Sequence, residues 1–134
     1  MALINWSDKY SVGVATFDED HKQLVAMINE LHAAMSAGAA QQALGGILEK
    51  LAAYADTHFV AEEKSMDKYA VPGLKMHQVE HQNLRSQVGR FLSGIQGGKI
   101  AMSVRVLEFL RSWLIDHIQT SDKRYGPYLA DKAL

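Results

Sequence analysis

A chain of 134 residues, 48% hydrophobic and 22% charged, is long enough for one packed core and too apolar to be disordered. Its formal charge of -1, with neither sign gathered into a long block, leaves no electrostatic footprint for nucleic acid or an anionic membrane. The chain has no cysteine, which excludes disulfides, thiolate zinc sites and cysteine-ligated iron–sulfur clusters, so any metal site must use nitrogen and oxygen ligands.

The first stretch, 1–17, has no helical period and reads as an extended arm carrying Trp6, Tyr10, Val12 and Val14. It lacks a basic region followed by a long apolar core, and nowhere do about 18 apolar residues run together, so the expectation is a cytoplasmic protein without membrane insertion. A first helix is predicted over about 18–37, capped by Thr16 or Asp18, with His21, Leu24, Ile28, Leu31 and Met35 on one face and Gly38 as its stop. A second, about 41–69, repeats Leu44, Leu48, Leu51, Ala55, His58 and Glu62 at alternating steps of four and three, an inward seam.

The turn through Val71, Pro72 and Gly73 separates it from a third helix, about 74–95, with His77, His81, Leu84, Val88, Phe91 and Ile95 inward. The fourth, about 100–122, carries Ile100, Val104, Leu107, Leu110, Leu114 and His117, and residues 123–134 read as a short tail. Four amphipathic helices with short connections imply an all-α fold: an antiparallel up-down-up-down four-helix bundle with an N-terminal extended arm, one domain over 1–134.

In such a bundle the start of the first helix, the end of the second, the start of the third and the end of the fourth share one end. His21, His58 with Glu62, His77 with His81, and His117 occupy those four places. A single inward histidine is more often a satisfied core residue than a ligand. Five imidazoles and a carboxylate buried together would leave many polar groups to satisfy, whereas a metal uses their lone pairs directly. His32 lies about 16 Å along the axis from His21 and takes the structural reading instead. For a second carboxylate, spacing does not rank Asp122, Asp116 and Glu63; Asp122 is about 140° round a regular helix from His117.

With these residues in order, His21, H58-x3-E62, H77-x3-H81 and H117-x4-D122, and with the lead-in SVGVATFDEDHKQL, the chain resembles the hemerythrin family and its single-domain bacterial members. A relative, myohemerythrin, is itself a standard example of the four-helix bundle. The resemblance implies a non-haem di-iron centre with an oxo or hydroxo bridge. In it His77, His81 and His117 hold one iron, His21 and His58 the other, and Glu62 and Asp122 bridge both, leaving one position open beside the two-histidine iron.

The same resemblance implies reversible dioxygen binding for oxygen transport, storage or delivery, without turnover of a substrate. It puts Leu24, Phe59, Trp113, Leu114 and Tyr125 around the dioxygen pocket. Partners are then dioxygen and an oxygen-consuming enzyme, and monomer is the default. One departure is Val71, where relatives often have tyrosine before the proline. The competing readings are a di-iron oxidase or peroxidase, a nitric-oxide-handling protein, or an oxygen or redox sensor acting through a separate partner. No Glu-x-x-His and no HExxH occurs, which counts against ferritin-like oxidases and zinc hydrolases.

Overall fold

The computed structural model describes residues 2–134. Helix α1 spans Ala15–Ser36, α2 Gln41–Lys68, α3 Leu74–Gln96 and α4 Val104–His117; a π turn over Ile118–Asp122 leads into α5, Lys123–Leu129. No strand occurs among the described residues, and α1 packs on α2, α2 on α3, and α4 on α1 and α3, an all-α four-helix bundle. The apolar seams meet in one core, where Leu31, Leu48 and Ile118 are fully buried.

Several boundaries differ from the sequence expectation for physical reasons. Helix α1 begins at Ala15, and neither Thr16 nor Asp18 caps it. Asp18 lies inside the first turn, where its carboxylate accepts from the Val12 N–H at 2.8 Å and from the Ser11 hydroxyl at 2.6 Å. It thereby ties the arm to the helix. The arm includes a 3₁₀ turn at Asp8–Tyr10 and is pinned further along α1 by Asn29, which bonds the N–H and carbonyl of Ile4, each at 2.9 Å.

Helix α4 starts at Val104 instead of Ile100, because the Ser103 hydroxyl accepts from the Val106 N–H and caps it. Ile100 and Val104 are therefore exposed, and Val106 takes the inward place. The expected tail forms α5, which buries Tyr125 and Leu129 completely. A Cβ at Gly126 would collide with the Val12 carbonyl, so glycine permits the close approach of α5 to the arm. Arm and α5 together cover the bundle end where the inward histidines lie.

Candidate metal centre

The site is assembled by helix register. His21 lies in the second turn of α1, His58 and Glu62 one turn apart near the end of α2, and His77 and His81 one turn apart at the start of α3. His117 closes α4, and Asp122 closes the π turn. A π turn carries its backbone bonds to the fifth residue, as the Lys123 N–H does to Ile118, so residues five apart come onto one face. Asp122, 1% exposed, thus enters the cluster, whereas Asp116 is exposed and Glu63 occupies a different role described below.

The donor atoms fall into two groups, each within 4.8 Å internally: Glu62, His77, His81, His117 and Asp122, and His21, His58, Glu62 and Asp122. The two carboxylates belong to both. Oε1 of Glu62 faces Nε2 of His77 at 3.4 Å and of His81 at 3.2 Å, and Oδ1 of Asp122 faces Nε2 of His77 at 2.9 Å and of His117 at 3.0 Å. The other oxygens face the remaining pair: Oε2 of Glu62 lies 3.3 Å from His21 and 3.1 Å from His58, and Oδ2 of Asp122 lies 3.0 Å from His21. Each carboxylate turns one oxygen to the three-histidine group and one to the two-histidine group.

Carboxylates outside the cluster set the tautomers. His58 Nδ1 meets Asp20 at 2.8 Å, His81 Nδ1 meets Glu63 at 2.7 Å, and His117 Nδ1 meets Glu80 at 3.0 Å. An ionised carboxylate can only accept, so each Nδ1 donates, and Nε2 is the nitrogen that offers a lone pair once the ring is neutral. These acids form a relay round the bundle, α1 supporting α2, α2 supporting α3 and α3 supporting α4. Sequence reasoning missed all three in this role. The available signal was position, since Asp20, Glu63 and Glu80 each adjoin an inward His or Glu and so sit at its flank, facing the neighbouring helix.

The fit to a cation can be tested on orphaned atoms. Nε2 of His21, Nε2 of His58 and both oxygens of Asp122 are buried without a hydrogen-bond partner, although they approach oppositely polar atoms closely. Nε2 of His81 and of His117 face each other at 3.1 Å while both Nδ1 atoms are committed to carboxylates, so two lone pairs meet wherever both rings are neutral. Such a geometry is costly in a dry site and is relieved by a cation between the donors. The all-nitrogen-and-oxygen set suits a first-row transition metal.

Taken on their own, the same side chains hold protons. Burial acts to lower the His21 pKa, but the adjacent Asp122 and Glu62 carboxylates outweigh it and raise it to about 9. Burial is likewise overcome at His77, raised to about 9, and at His58, raised to about 10 by Glu62 and Asp20. Glu62 is held well below the usual carboxylate range, burial being outweighed by His58, His21 and His77.

Apolar walls lie one turn inward. Leu24, Phe59, Trp113 and Leu114 surround a single small cavity of about 20 Å³ together with Leu51 and Leu84. Phe59 stacks on His81 at 3.9 Å, and Trp113 stacks on His117 at 4.5 Å, so two cavity walls also brace ligand-type rings. Tyr125 is placed apart from them: its ring packs against Phe17 and His77, and its hydroxyl donates to Glu62 at 2.5 Å. His32 lies outside the cluster.

An all-α bundle with buried histidines and carboxylates gathered at one end defines a non-haem metal-binding protein. A family model described as the hemerythrin HHE cation binding domain matches residues 12–129, and the chain belongs to the hemerythrin family. It is 30% identical to a bacteriohemerythrin of Methylococcus capsulatus, over 97% of this chain and 99% of that protein. It is also 30% identical to a hemerythrin-like protein of Naegleria gruberi, over 90% of this chain and 89% of that one. The crystal structure of a wild-type hemerythrin superposes with a TM-score of 0.91 at 30% identity, covering 96% of this chain and 99% of the other. The chain is thus a hemerythrin-type iron-binding domain whose cluster fits a non-haem di-iron site. No helix among the described residues is long and apolar enough to cross a membrane.

Proposed function

We propose that the protein binds dioxygen reversibly at a di-iron centre, for oxygen transport, storage or delivery, and turns over no substrate. His77, His81 and His117 would hold one iron, His21 and His58 the other, and Glu62 and Asp122 would bridge them. The observation that carries this reading is the split of the carboxylate oxygens, one from each residue toward each histidine group. With three histidines to serve one iron and two the other, the two-histidine side would be the one that takes up an external ligand. When bound in the reduced state, the metals supply the electrons that make dioxygen binding possible.

The residues of this chain do the rest. Asp20, Glu63 and Glu80 orient His58, His81 and His117 and fix a proton at each Nδ1, so that Nε2 is the nitrogen each ring offers to a metal. Leu24, Phe59, Trp113 and Leu114 keep the ligand side dry, which limits loss of the ligand by protonation. Tyr125 holds one oxygen of Glu62 by a hydrogen bond, restraining its orientation. The cavity of about 20 Å³ between the apolar walls has room for a diatomic molecule.

Anaerobic iron analysis followed by oxygenation under visible spectroscopy tests the reading. Two irons per chain, with a charge-transfer band that appears with dioxygen and vanishes on deoxygenation, are expected. Irreversible oxidation accompanied by turnover of an added reductant would instead establish the oxidase reading. His32→Ala is expected to retain two irons and the same band, since His32 stands apart from the ligand groups. Loss of iron in that variant would contradict the assignment of ligands by level along the bundle.

A further inference from the structure

His117 and Asp122 meet in one cluster only because the chain between them is a π turn. Such turns are rare, and tertiary contacts must favour them over the α-helix that would carry Asp122 away. Ile118, 0% exposed, anchors the turn in the core, and the Thr120 hydroxyl donates to the Asp116 carbonyl at 2.6 Å, a side-chain bond of the kind that distorts helices. Neither contact reaches the face where Asp122 lies. Glu80, on α3, reaches across instead: its Oε1 accepts from His117 Nδ1 at 3.0 Å and from the Ser121 hydroxyl at 2.5 Å. These two donors stand at the entry to the turn and at the residue before Asp122.

We propose that Glu80 is a positioning residue for the metal centre: by accepting from His117 and Ser121 with one oxygen, it clamps the π turn and sets Asp122 opposite the same donors as His117. The other two acids of the relay lack this reach. Asp20 joins His58 to Tyr54, and Glu63 joins His81 to Gln78, with Arg85 nearby; none of these partners lies in the turn. Glu80 therefore couples the register of α3, which sets His77 and His81, to the end of α4, which sets His117 and Asp122. The consequence for iron rests on reading Asp122 as a bridging ligand; the consequence for the turn itself does not.

Hydrogen exchange of the chelator-treated protein, read over the amides of 118–123, is the decisive measurement. Glu80→Ala is expected to speed exchange there by roughly tenfold, the loss of hydrogen bonds to a charged acceptor, while the middle of α2 is unchanged. Glu80→Gln keeps an acceptor oxygen and is expected to stay within about threefold of the parent. Ser121→Ala, a small change compatible with folding, should move the same amides in the same direction by less.

After iron loading, Glu80→Ala should release iron to a competing chelator roughly tenfold faster, within the range reported for lost outer-shell partners, and Glu80→Gln should largely restore retention. Unchanged exchange over 118–123 in both Glu80→Ala and Ser121→Ala would overturn the proposal. So would an equal increase caused by Glu63→Ala, which touches no residue of the turn. A protein that bound no dioxygen would defeat the functional reading while leaving the exchange result intact.

Discussion

Replacing Glu62 by alanine is expected to leave the protein unable to hold two irons. Glu62 is completely buried and belongs to both donor groups, and no other side chain except Asp122 is shared in this way. Its two oxygens lie within 3.1–3.4 Å of His21, His58, His77 and His81, and it also accepts from Tyr125. Truncation leaves four imidazoles and a buried phenol without their common acceptor. Removing one partner of a buried ionic cluster costs about 3–5 kcal/mol, and a fall of that size is expected in urea unfolding of the chelated variant. Glu62→Gln preserves the volume and an acceptor for Tyr125 but not the charge, so it should recover part of the stability and little of the iron. Two irons per chain retained by Glu62→Ala after desalting would remove Glu62 from the bridging role.

Why this cluster could be read from the sequence, and its surroundings could not, follows from which forces place each residue. The α2 seam is periodic because burial selects it, so Leu48, Leu51, His58 and Glu62 fell on one face and all are buried. Histidines at such positions on four helices stand out, since an unpaired buried imidazole is costly. Asp122 did not stand out. The π turn that brings it in depends on Ile118 burial and on Glu80, which lies 42 residues earlier in the chain, and a helical period carries no trace of either. Resemblance to a family selected Asp122 where spacing could not.

The same distinction explains the ends of α4. Apolar Ile100 continues the helical period, but Ser103 caps the helix and leaves Ile100 outside. Residues 123–134 read as a tail, yet the burial of Tyr125 and Leu129 holds a short helix through Gly126 and Pro127. In the relay, Asp20, Glu63 and Glu80 are only partly buried and sit beside ligands in sequence, where a charged residue ordinarily reads as a solvated flank. Their role appears only when the neighbouring helix is in place.

Removing the metal should make stability fall toward alkaline pH. In the metal-free protein the folded-state pKa values of His21 and His77, about 9, and of His58, about 10, lie above the ordinary 6.5. The folded state then binds more protons than the unfolded chain, so the stabilisation is fully present below 6.5 and is lost as pH rises through 9 to 10. One such histidine corresponds to about 3–5 kcal/mol at about 1.4 kcal/mol per pKa unit. Glu62 and Asp122, both held low, act on the other limb: their contribution is present above their ordinary values of 4.5 and 3.8 and falls away in acid. The metal-free protein should therefore be most stable between about pH 4.5 and 6.5 and weaken toward alkaline pH. Metal binding needs the ligand imidazoles neutral and expels their protons, so affinity rises over the same range and offsets the loss, which leaves the stability of the loaded protein nearly independent of pH there. Urea unfolding at a series of pH values, with and without iron, should show stability falling above about pH 6.5 in the metal-free protein and staying nearly level in the loaded one. Parallel slopes would mean that the histidines are already neutral before the metal arrives, and that the carboxylates do not hold their protons.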